Sequence, residues 1–121
     1  MVKKTVLFID NEPELIESLT LDLIKEGYKV ESVIRLGDAL EKIVNQTMAL
    51  IIVDIEISPG CNIVSAIRKV NKIVPIITVT EDDSIETQIK VRQEGIFFYF
   101  VKPFTVEDMK VVIYSALNLK Q

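Results

Sequence analysis

The feature that most constrains this chain is an alternation of two patterns. Four continuous apolar runs stand out: "VLFI" (Val6–Ile9), "LIIV" (Leu50–Val53), "IVPIITV" (Ile73–Val79) and "IFFYFV" (Ile96–Val101). Runs of this kind are strands buried on both faces, as in a parallel sheet covered by helices. A fifth segment, "YKVESVI" (Tyr28–Ile34), alternates apolar and polar residues and reads as an edge strand. Between them the apolar positions take helical spacing. The sets are Leu15, Ile16, Leu19 and Leu23 closed by Gly27; Ala39, Leu40, Ile43 and Val44; Ile63, Val64 and Ile67; Ile85 and Ile89 closed by Gly95; and Met109, Val112, Ile113 and Ala116. Thr105 with Asp108 resembles a capping box and marks the start of the last helix. Strict β–α alternation implies an α/β fold, a parallel sheet with helices on both faces. With 121 residues the chain suits a single domain, 1–121, and no output domain is visible.

In such sheets ligands bind beyond the carboxyl ends of the strands. The polar residues that end the apolar runs are therefore expected in one crevice: Asp10, Asn11 and Glu12 after the first strand, Asp54 after the third, Thr80 after the fourth and Lys102 after the fifth. Carboxylates suit a hard cation such as Mg²⁺, which takes one or two of them and fills its remaining positions with water and phosphate oxygens. A carboxylate facing that ion can attack a phosphoryl group to give an aspartyl phosphate, with a lysine and a hydroxyl stabilising the transferred oxygens. Composition removes several other chemistries. With no histidine the chain has no imidazole base, ligand or phosphocarrier, and its single Cys61 rules out an internal disulfide. A net charge of −4 argues against direct nucleic-acid binding. The apolar part of "MVKKTVLFID" is too short for a signal core, so no membrane association and a cytoplasmic location are expected.

An acid after the first strand, Asp54 ending the third, Thr80, and "KPF" at 102–104 together resemble the receiver domain of two-component response regulators, over Val6 to about Leu119. The resemblance implies a flavodoxin-like doubly wound sheet of five strands in the order 2-1-3-4-5. It implies phosphorylation of Asp54 by a histidine kinase or phosphotransfer protein, with Mg²⁺ held by Asp10, residue 11, Asp54 and Glu56 through its backbone carbonyl or side chain. Thr80 and Lys102 would engage the phosphoryl group, Tyr99 would turn inward, and Lys102-Pro103 would be cis. A face made by the fourth helix, fifth strand and fifth helix would then meet a second copy or an effector. Phe97, Phe98, Val111 and Tyr114 are expected to form an apolar patch there.

The sequence departs from that pattern at two points. Asn11 stands where the family has a second acid, bringing an oxygen without a charge, although Glu12 beside it and Glu56, two residues after Asp54, are expected to restore part of that charge. The stretch "ISPGCNIV" (Ile57–Val64) is about two residues short and lacks the usual Asp-Gly pair. Both favour an alternative, a phosphorylation-independent pseudo-receiver acting as an interaction or dimerisation module. A nucleotide or flavin binder of similar topology finds no support, because no Gly-rich phosphate loop is present. Taken singly, the residues have plainer readings: Asn11 as the first helix's N-cap before Pro13, Thr80 as the start of the next helix, Glu56 as a solvated loop acid, Cys61 as a small helix residue and Tyr99 as packing.

Overall fold

A computed structural model describes residues 2–120. The elements are β1 (Thr5–Ile9), α1 (Pro13–Lys25), β2 (Lys29–Val33), α2 (Leu36–Asn45), β3 (Met48–Asp54), a 3-10 turn (Ile55–Ile57), α3 (Ile63–Val70), β4 (Ile76–Thr80), α4 (Ile85–Gln93), β5 (Phe98–Val101) and α5 (Val106–Ala116). All strand pairs are parallel, in the order β2-β1-β3-β4-β5, so the expected topology holds and the alternating β2 lies at an edge.

Strand alternation sends successive side chains to opposite faces and builds two cores. Leu7, Ile9, Ile51, Val53, Ile76 and Tyr99 pack with residues of α2, α3 and α4. Val6, Phe8, Leu50, Ile52, Ile77 and Phe100 pack with α1 and α5. The aromatic run of β5 is split accordingly: Tyr99 and Phe100 are buried on opposite faces, while Phe97 and Phe98 remain exposed. Tyr114 does not join them at the surface. It is buried in the α1–α5 core. Of the residues expected at this face, Phe97, Phe98 and Val111 are exposed, as are Ile85 and Ile89 on α4.

The exposure of Ile85 and Ile89 shows how differently α4 is attached. Val91 is its only buried residue, whereas α5 buries Met109, Ile113 and Tyr114. Polar ties hold α4 instead. The Arg68 guanidinium donates to the carbonyls of Asn71, Val74 and Gly95 at 3.2, 2.7 and 2.6 Å, joining the ends of α3 and α4 to the start of β4. Asn71 Oδ1 accepts from the amides of Ile73 and Val74, so the chain turns there before β4 begins and Ile73 is exposed outside the strand.

Caps set the helix starts. Ser84, Asn62 and Thr105 each accept an amide hydrogen of the first turn, at α4, α3 and α5 respectively. Asn62 starts α3 one residue after Cys61, which is thus an exposed loop residue and not part of the helix. Thr80 ends β4 and does not start α4. Asn11 does not cap α1 either. Glu12 occupies the N-cap without a side-chain hydrogen bond to the first turn; its carboxylate accepts from Lys102 instead, and its amide donates to the Asp10 carboxylate at 3.0 Å. Lys102-Pro103 is cis.

Candidate functional site

The register of the sheet delivers the polar residues to one crevice. Asp54 pairs with Val79 and Thr80 with Val101, and the Lys102 amide donates to the Thr80 carbonyl at 2.8 Å, adding one rung beyond β5. On the other side of β3, the Asp10 amide donates to the Val33 carbonyl at 3.1 Å. Asp10, Asp54 and Thr80 are all buried, which is costly for carboxylates unless each oxygen finds a partner.

Asp54 has two. Its Oδ1 accepts from the Glu56 amide at 2.9 Å, which fixes the carboxylate at the head of the 3-10 turn, and its Oδ2 accepts from Lys102 Nζ at 3.0 Å. Lys102 also donates to Glu12 Oε1 at 2.5 Å. Burial works against the ammonium charge, but its hydrogen bonds to the Glu12 and Asp54 carboxylates more than offset this and hold the Lys102 pKa above the usual lysine range.

Asp10 is the uncompensated member. Its Oδ1 is held by the Glu12 amide, but its Oδ2 is buried with no hydrogen-bond partner. Burial, reinforced by the charge of Asp54, raises its pKa from 3.8 to about 6. One carboxylate oxygen each from Asp10, Glu12 and Asp54 lies within 4.8 Å of the others. Three acids this close, one with an orphaned oxygen, fit a hard divalent cation that takes oxygen ligands. Glu12 completes this trio of acids, and Asn11 beside it is exposed.

Glu56 is turned the other way. Its Oε1 accepts from the Thr80 hydroxyl at 2.6 Å and also from the Glu81 amide. These two hydrogen bonds hold the Glu56 pKa below the usual carboxylate value. Thr80 Oγ1 accepts in turn from the Asp82 amide at 3.0 Å. Tyr99, buried with its hydroxyl donating to the Asp82 carbonyl at 3.1 Å, completes this side, and burial raises its pKa. The structure thus gathers Asp10, Glu12, Asp54 and Lys102 into one cluster, and sets Glu56, Thr80 and Tyr99 in a second, hydrogen-bonded group beside it. The link between Glu12 and Lys102 spans 90 positions and has no local signal. Only the place of Glu12 among the acids after β1 pointed toward it.

The response regulator receiver domain model matches residues 6–114. The chain belongs to the response regulator receiver domain family. It is 28% identical over 115 residues to the transcriptional regulatory protein GlrR of Escherichia coli K12, covering 93% of this chain and 26% of GlrR. It is 27% identical over 120 residues to the uncharacterized transcriptional regulatory protein YkoG of Bacillus subtilis 168, covering 98% of this chain and 53% of YkoG. The chain thus spans a quarter to about half of these relatives. Among solved structures it resembles a CheY-like receiver domain protein from Methanospirillum hungatei JF-1, with a TM-score of 0.81 at 27% identity over 97% of this chain and 95% of that one. It also resembles the beryllofluoride-activated NtrC4 receiver domain dimer, with a TM-score of 0.80 at 28% identity over 94% and 96% of the two chains. As a receiver domain this is a signalling module of a two-component system, and among the described residues no helix is long and apolar enough to cross a membrane.

Proposed function

We propose that this receiver accepts a phosphoryl group on Asp54 from a phosphohistidine of a histidine kinase or phosphotransfer protein, in the cytoplasm and without contacting nucleic acid itself. The observation that carries the reading is the setting of Asp54, with one oxygen fixed by the Glu56 amide and the other on Lys102, beside the orphaned oxygen of Asp10. The chain has no histidine, so the donor comes from outside.

Asp54 Oδ2 attacks phosphorus in line. The new O–P bond forms as the P–N bond breaks, and the electron pair stays on the departing imidazole nitrogen, which the proton on the other ring nitrogen leaves neutral. Lys102 follows the transferred charge, shifting from the carboxylate to a phosphoryl oxygen. Asp10, Glu12 and Asp54 are the side chains that would hold Mg²⁺, with the Glu56 backbone carbonyl and Asn11 as further oxygens. That ion supplies positive charge to the phosphoryl oxygens and relieves the repulsion among the acids. Thr80 and Tyr99 would respond to the new charge and alter the α4–β5–α5 face. Its exposed Phe97, Phe98 and Val111 support a homodimer or effector contact there, as does the dimeric state of the NtrC4 receiver.

A pseudo-receiver is the competing reading, favoured by Asn11 in the place of an acid. Intact mass separates the two. Incubation with phosphoramidate and Mg²⁺ is expected to add one phosphoryl mass to the wild type and none to Asp54→Ala. A wild type unmodified at high donor and metal leaves only the interaction module.

A further inference from the structure

The Thr80 hydroxyl has a single proton, and in this structure that proton is taken. Oγ1 donates to Glu56 Oε1 at 2.6 Å and accepts from the Asp82 amide at 3.0 Å. The Glu81 amide, also with one hydrogen, points at the same carboxylate oxygen. Glu56 is thus an anionic oxygen bound by a buried hydroxyl and by the backbone amide next in the chain. A phosphoryl oxygen on Asp54 would present the same chemistry to the same hydroxyl. A hydroxyl cannot donate to two anions at once. Hydrogen bonds to a charged acceptor are roughly twice as strong as neutral ones, so the occupied state is favoured until a comparable anion displaces it.

We infer that Glu56 is a built-in competitor for the phosphoryl group: a positioning residue that holds Thr80 and the loop after β4 in the unphosphorylated arrangement, so that phosphorylation must break the Glu56–Thr80 bond. This rests on Asp54 being the phosphoacceptor. The backbone of Glu56 meanwhile keeps its amide on Asp54 Oδ1, so one residue holds the nucleophile through its main chain and the switch hydroxyl through its side chain. Release of the side chain frees Thr80, the Glu81 amide and, through the Asp82 carbonyl, the hydroxyl of Tyr99.

The test measures binding of beryllofluoride, a tetrahedral stand-in for the acyl phosphate, with Mg²⁺ present. Glu56→Ala is expected to tighten binding about tenfold or more, the value of a hydrogen bond to a charged group. Glu56→Gln keeps an acceptor oxygen without the charge and is expected to fall between Glu56→Ala and the wild type. In a Thr80→Val background, where the contested proton is missing, the gain from Glu56→Ala should shrink to less than about threefold. A gain of undiminished size there would mean that Glu56 acts only through its charge and would overturn the inference, as would unchanged or weaker binding by Glu56→Ala. The Glu81 amide proton resonance is read in parallel, without any phosphoryl mimic. It is expected to lie downfield in the wild type and to move upfield in Glu56→Ala. An amide that stays in place shows that the carboxylate contact does not form in solution. Because this second reading needs no phosphoryl chemistry, failure of Asp54 as acceptor and failure of the Glu56 latch are told apart.

Discussion

Ile52 and Asp54 lie two residues apart on one face of β3, yet their surroundings have opposite energetic signs. Ile52 is wholly buried among the aliphatic and aromatic side chains that pack under α1 and α5. Every group it touches there gains from leaving water, and full burial of such a side chain stabilises by roughly 1.5–3 kcal/mol. Asp54 is nearly as buried but shares its space with two more carboxylates and a lysine. Phe8 on β1 and Asp10 just beyond its end repeat the contrast. The middle of the sheet therefore supplies the stability that lets its carboxyl end stay electrostatically crowded, and the crowding is what makes that end receptive to a cation and a phosphoryl group.

The sharpest way to break this comparison is to cut into the middle. Ile52→Ala is expected to cost about 2–5 kcal/mol, as for other large-to-small changes in a packed core. The midpoint of urea unfolding would drop while its slope stays constant. At a temperature where the variant remains folded, its affinity for beryllofluoride is expected to change less than about twofold. A larger change would show that the two regions are not energetically separate.

At the carboxyl end the expected sign reverses. Asp10 has a folded pKa of about 6 against an ordinary 3.8, so the native state binds more protons than the unfolded chain between those values. Its contribution to stability is then lost as pH rises from about 4 to about 6, and stays lost above. Asp10→Asn removes that loss and is expected to stabilise the metal-free protein at pH 7.5 by about 1–3 kcal/mol. The difference between the two stability profiles should grow across pH 4–6 and then level off. Groups with depressed pKa values, such as Glu56, act the opposite way at lower pH in both proteins and cancel from the difference. Added Mg²⁺ should stabilise the wild type and leave the variant nearly unmoved. A flat difference profile would mean that Asp10 is compensated in solution.

The two regions were unequally legible in the sequence. The middle could be read from runs such as "LIIV", because burial on both faces demands continuous apolar residues and parallel order follows. The ends of those runs also located Asp10, Asp54, Thr80 and Lys102. What could not be read was the direction of long side chains. Glu56 follows Asp54 by two positions and looked available to a cation, but its carboxylate turns across 24 positions to Thr80. Glu12 brings its carboxylate into the acid cluster with Asp10 and Asp54, a placement that its position after β1 left open. At the margins, Ile85 and Ile89 fit a helical core pattern and are exposed, because α4 is rotated to bury Val91 and is held by Arg68. Tyr114 fit a surface patch and is buried. Periodicity reports which residues share a helix face, but contacts across the sheet decide which face turns inward.

The smallest expected effect concerns Asn11, which tests how sharply the crowded end is bounded. Its side chain is exposed and shares with Asp10 the wall of a shallow cleft that runs toward Ser32 and Ile34. Asn11→Asp puts a fourth carboxylate beside the acid cluster. Two charges about 4 Å apart interact by about 1 kcal/mol in water, and exposure with salt reduces this further. The metal-free fold should therefore lose only a few tenths of a kcal/mol, far less than Asp10→Asn gains. Attraction for a divalent cation is larger for the same geometry because the ion carries two charges, so Mg²⁺ affinity is expected to rise about three- to tenfold. Titration followed by the backbone amide shifts of Asp10 and Asp54 measures it. A rise that disappears in 0.5–1 M KCl, roughly where the screening length falls toward 3 Å, would place residue 11 outside the ion's ligands, acting through the field alone. A rise that persists in that salt would make it a ligand, and no rise at all would leave Asp10, Glu12 and Asp54 as the whole side-chain set.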